Sequence, residues 1–135
     1  MFWLSHHPDD ELDRCYRVGR FHVCARCLGT YPVMFAALAL QAILHAPLDH
    51  PLDLWLGLGL LAPATLDWAY GRFRPHAFSN PWRTVTGAAL GIGLGRSLYI
   101  HVQKPLPVVL IAQAALVTAV ALPVILATYR RRSRG

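Results

Sequence analysis

Three cysteines and three histidines stand within the first 27 residues: His6 and His7, Cys15, His22, Cys24 and Cys27. The run His22-Val23-Cys24-Ala25-Arg26-Cys27-Leu28-Gly29 contains a Cys-x-x-Cys knuckle followed by glycine. This spacing lets two thiolates face one ion while the glycine tolerates the backbone bend. A closed tetrahedral zinc site needs two more ligands, and Cys15 with His6 or His7 is the nearest supply. The expected set is therefore His6, Cys15, Cys24 and Cys27, with His7 or His22 as substitutes for the imidazole. His22 is the less favoured substitute because it lies so close in sequence to Cys24. Four protein ligands would make the ion structural; a mononuclear iron centre bound by the same residues is the alternative. The acidic run Asp9, Asp10, Glu11, Asp13 reads as a solvated turn. A c-type haem is excluded because Leu28, not histidine, follows Cys27.

A second polar constellation lies further along the chain: Asp67, Arg72, Arg74, His76, Ser79, Asn80, Arg83 and Thr86. An aspartate at position 67 falls inside an apolar run, where a carboxylate needs a partner, and Arg83 is the expected one. Such a group closes a loop with an ion pair. Alternatively it forms a polar pocket of Asp67, Ser79, Asn80, Arg83 and Thr86 for a phosphate or anionic head group, with Asp67 and Arg83 as the candidate catalytic residues. His45, His50 and His101 fall near the opposite ends of the apolar runs, too poorly matched for a bis-histidine haem.

The elements that must hold these residues follow from composition. The chain has 135 residues, one domain's worth, with 55% apolar and 15% charged residues and a mean hydropathy of +0.37. A soluble domain carries about 25% charged residues. Four apolar runs fill most of the chain: Leu28 to Ala46, Leu54 to Tyr70, Thr84 to Ile100 and Leu106 to Tyr129. At about 1.5 Å per residue each can cross a hydrocarbon layer of roughly 30 Å. The expected fold is all-α, a four-helix transmembrane bundle over 28-135 with a basic C-terminal tail, preceded by a cytoplasmic metal-binding cap over 1-27. The polar stretch Ser5 to Arg26 does not resemble the apolar core of a signal peptide.

Charge sets the expected orientation. Of the 13 basic residues, 11 lie in the N-terminal stretch, between Arg72 and Arg83, or in the tail, and among the connections on the other side there is only Lys104. The positive-inside rule therefore places both termini in the cytoplasm of a multi-pass inner-membrane protein. The net charge of +6 is explained by anchoring to anionic lipid, with no nucleic acid required. A cytoplasmic cap lies in a reducing compartment, which favours metal ligation of the thiols over disulfides.

Gly87, Gly91 and Gly95 recur every four residues along the third run. That spacing permits close helix–helix approach, within the bundle or between subunits. The segment Gly91-Ile92-Gly93-Leu94-Gly95 is no nucleotide loop, since neither a strand precedes it nor a Lys-Ser/Thr pair follows. Arg96 is expected to snorkel toward the interface near Tyr99 and His101.

The pattern His6, Arg14-Cys15-Tyr16, Gly19, His22 to Tyr31, then Asp67, Ser79-Asn80, Arg83 and Thr86-Gly87, resembles the prokaryotic membrane proteins of the domain of unknown function 2085 family. The resemblance spans Ser5 to Gly95, and its most specific stretch is Cys24 to Tyr31. Family members usually open with a Cys-His pair and carry Arg-Ser-Phe before the knuckle, where this chain has Ser5-His6 and Arg14-Cys15-Tyr16. The resemblance thus implies a displaced thiol with the count of three cysteines and one histidine preserved, and favours His6 as the imidazole. It implies no activity. The residues point first to a non-enzymatic accessory or scaffolding subunit of a membrane complex, embedded in the lipid bilayer. A metal-dependent enzyme acting on a lipid or phosphorylated lipid comes second, and an iron redox protein third.

Overall fold

The structure, a computed structural model, describes residues 13–74 and 77–132. Two short strands, β1 (Cys15–Val18) and β2 (Phe21–Cys24), lead into four helices: α1 (Ala25–Ile43), α2 (Asp53–Phe73), α3 (Asn80–Gln103) and α4 (Val108–Arg132). The four helices follow the four apolar runs. The antiparallel hairpin corrects the all-α expectation. Its turn is Gly19-Arg20, and Gly19 adopts φ 60, the left-handed conformation that a tight two-residue hairpin demands and a side chain would resist. β2 continues into α1 with no linker, so Arg26 and Cys27 are helical and lie in its first turn.

The helices pack in the spatial order α1, α3, α2, α4. α1 and α3 run parallel, and small residues set their register. A Cβ on Gly87 would collide with the Arg26 carbonyl, one on Gly91 would lie 2.5 Å from the Thr30 carbonyl oxygen, and one on Gly95 2.8 Å from that of Met34. The partners advance by four residues on both helices, so the glycine stripe is an interface within the chain. Gly29 answers from α1, against the Thr84 backbone, while Gly93, two residues out of phase, faces α2 near Leu60 and Gly57. α2 meets α4 at Gly57, whose carbonyl accepts a hydrogen bond from Gln113 Nε2 at 3.1 Å.

Burial runs opposite to that of a soluble protein. Phe35, Leu40 and Ile43 of α1, Leu56 and Leu66 of α2, and Ile111, Leu122 and Ile125 of α4 are exposed, whereas Thr65, Asp67, Arg83, Thr86, Ser97 and Gln113 are buried. Water would penalise such an exterior, but lipid does not. Two helices, α1 and the Val108–Arg130 stretch of α4, are long and apolar enough to cross a membrane. α2 and α3 are 21 and 24 residues long, but their glycines and charged residues make them less apolar.

Candidate functional site

The hairpin end of the bundle gathers most of the residues singled out by chemistry. Strand register places Cys15 directly opposite Cys24. Side chains on a strand alternate between faces, so His22 shares the face of Cys24. The Cys27 thiol is hydrogen-bonded to Cys24, with Cys15 within electrostatic reach. Cys15 and Cys24 are buried, Cys27 partly so, and none of the three is in a disulfide. Among the described residues no group of three His, Cys, Asp or Glu side chains is close enough to hold a metal ion. His6 and His7 lie outside the described residues, as do Asp9, Asp10, Glu11 and His76.

Asp67 is 3% exposed and forms its ion pair with Arg26, not with the expected Arg83. The reason is the early start of α1. With the helix beginning at Ala25, Arg26 projects from its first turn at the depth of Asp67, nearly two turns inside the end of α2. Arg83, 6% exposed, remains within electrostatic reach of Asp67, Arg14, Arg26 and Asp13. Asp67 Oδ1 and Arg26 Nε are buried without a hydrogen-bond partner among the described residues.

The other expected pocket residues have their polar atoms engaged. Ser79 caps α3, its Oγ accepting from Trp82 N at 3.5 Å, with Pro81 in the first turn. Asn80 Nδ2 donates to the Asp13 carbonyl at 2.9 Å and lies 3.4 Å from that of Cys15, tying the hairpin to α3. Thr86 Oγ1 donates to the Arg83 carbonyl at 3.2 Å. Thr84 reinforces the seam, its hydroxyl lying 3.1 Å from the Ala25 carbonyl and 3.4 Å from the Tyr16 hydroxyl. The polar centre is thus Asp67, Arg26 and Arg83, while Ser79 and Asn80 build the frame. Arg26 escaped the sequence reading, although its place between the two knuckle cysteines, at the start of an apolar run, put it at the right depth.

Arg96 also departs from expectation. Instead of snorkelling it clamps three elements, with Nε and Nη2 on the Asp53 carboxylate at 2.8 and 2.7 Å, Nη1 on Gln41 Oε1 at 3.2 Å and Nη2 on the Pro47 carbonyl at 2.7 Å. Burial pushes the Asp53 carboxyl up, but the hydrogen-bonded Arg96 guanidinium and the His50 N–H outweigh this and hold it below its ordinary value of 3.8.

An apolar exterior around buried polar groups, closed at one end by a polar hairpin, defines a helical membrane protein. The chain belongs to the family described as Predicted membrane protein (DUF2085), which matches residues 7–97 of the 135. The matched stretch takes in the hairpin, α1, α2 and α3 as far as Ser97, and α4 lies beyond it. Comparison with curated proteins and with solved structures returns no match.

Proposed function

We propose that the protein is a four-span inner-membrane protein with both termini cytoplasmic. Its hairpin cap is locked by one structural zinc ion, and it serves as an accessory or scaffolding subunit of a membrane complex. The observation carrying this reading is the direct apposition of Cys15 and Cys24 at the mouth of α1, with the Cys27 thiol hydrogen-bonded to Cys24 one turn on. The ion would draw Cys15, Cys24 and Cys27 closer than they stand here and take a fourth ligand from His6, His7 or His22 to make a Cys₃His tetrahedron, and three thiolates suit zinc over harder cations. The basic rim of Arg14, Arg17, Arg20, Arg72 and Arg74 supplies a surface for an acidic partner or for anionic lipid.

Metal analysis of purified wild type and Cys24→Ser tests the cap. One zinc per chain in the wild type and its loss in the variant are expected; equal metal content in the two would overturn the assignment, and a stoichiometric iron content would move it to the redox reading.

A second reading rests on the buried Asp67–Arg26–Arg83 centre. Asp67 Oδ1, without a hydrogen-bond partner among the described residues, would serve as acceptor for a substrate hydroxyl or ammonium beside two guanidinium groups. A metal-dependent enzyme acting on a lipid or phosphorylated lipid would use Asp67 as base and Arg83 to hold phosphate. Retention of full cellular function by Asp67→Asn would remove this reading.

A further inference from the structure

At the end of the bundle away from the hairpin, a cleft of about 500 Å³ opens between the α1–α2 and α3–α4 connections. This volume lies within the range of small-ligand sites. Its floor is apolar: Ile100 and Val109 are buried there and Leu48 packs against them. Its charged groups stand on two sides. Asp49 comes from the α1–α2 side and Lys104 from the other, next to Val108 and Val109 at the start of α4, while the Asp53 carboxylate in the lining is already held by Arg96. The first amides of a helix have no acceptor within it and favour negative charge. Lys104 Nζ and Asp49 Oδ1 meet across the mouth at 3.4 Å, with side chains 62% and 81% exposed. So exposed a pair contributes little and opens at little cost.

We propose that this cleft binds the head-group region of a zwitterionic aminophospholipid. The primary ammonium faces Asp49, the phosphate faces Lys104 and the α4 start, and the first acyl carbons lie on Ile100 and Val109. Three features select this chemistry. Opposite charges on opposite walls match a zwitterion and leave a purely anionic head group facing the Asp49 carboxylate with no cation to offer it. Among the described residues no phenylalanine, tyrosine or tryptophan lines the cleft, so a quaternary ammonium finds no aromatic face there, whereas a primary ammonium can donate a hydrogen bond to the Asp49 carboxylate. The cleft also lies where two helices end and begin, the level at which head groups stand in a bilayer-spanning bundle.

The test is native mass spectrometry of the full-length protein in detergent with dioleoyl phosphatidylethanolamine, phosphatidylcholine or phosphatidylglycerol added at equal concentration. The wild type should retain phosphatidylethanolamine at least about tenfold better than phosphatidylcholine, the discrimination expected of one charge-assisted hydrogen bond. In Asp49→Asn/Lys104→Gln this advantage should vanish, while phosphatidylglycerol adducts at the basic end stay unchanged. The charge-conserving Asp49→Glu/Lys104→Arg should keep the preference. Equal retention of the two zwitterionic lipids by the wild type would overturn the proposal, as would undiminished preference in the neutral double variant.

Discussion

Arg26, between the two cysteines of the knuckle, is the ion-pair partner of Asp67 on α2. The pair couples the metal-ligand segment to the bundle: whatever orders the hairpin also sets the first turn of α1, and that turn carries the cation compensating a buried carboxylate. Side-chain exposures of 24% for Arg26 and 1% for Asp67 show that the carboxylate is the group at risk.

Removing Arg26 should therefore cost more than removing Asp67. Loss of one partner of a fully desolvated pair costs about 3–5 kcal/mol, and the partial exposure of Arg26 lowers that figure here. A cycle of Arg26→Gln, Asp67→Asn and the double variant, followed by thermal unfolding in detergent, should show the double variant more stable than Arg26→Gln alone. Additive losses would mean that Asp67 draws its compensation mainly from Arg83.

The glycine stripe yields a contrast within one fold. Gly91→Ile drives a branched side chain into the Thr30 carbonyl and should separate α1 from α3, lowering the melting temperature and loosening the bundle. Gly59, on α2, has nothing within 4 Å of where its Cβ would stand, so Gly59→Ala should be neutral or stabilising by up to about 1 kcal/mol. A Gly91→Ile protein that melts like the wild type would refute the close packing.

Asp53, just ahead of the apolar run of α2, makes the Arg96 clamp sensitive to acid. Its folded-state carboxyl titrates below its ordinary value, so its contribution is complete above about pH 4, the unfolded carboxylate range, and is lost as pH falls through the lower folded value. The stability gap between wild type and Asp53→Asn should be constant from pH 7 to about pH 5 and close only under more acidic conditions. A gap that already narrows between pH 7 and pH 6 would point to another titrating group.

Orientation can be read directly. Reporter fusions after Gly135 should be active in the cytoplasm, and a reporter inserted at Asp49 should be active outside, because the basic residues divide 11 to 1 between the two sides once Arg96 is set apart. Reporters on opposite sides at the two termini would remove one span from the reading.

Helix number and approximate limits were legible in the sequence because four runs of apolar residues, broken by charged and proline-rich connections, leave the backbone few ways to satisfy itself away from water. The glycine spacing likewise announced a close helix contact. What only the tertiary structure decided was partnership. The glycine stripe could have faced a second subunit, and became the α1–α3 seam because every fourth residue of both helices comes into parallel register. Asp67 had several arginines to choose from; helix α1, beginning three residues ahead of its apolar run, placed Arg26 nearest. Arg96 had no carboxylate nearby in sequence, and met Asp53 only where the start of α2 packs beside the end of α3. Periodicity and charge set which segments form helices and which ends stay near water, but ion pairs between helices depend on rotation and depth, and these are set by close packing of side chains distant in sequence.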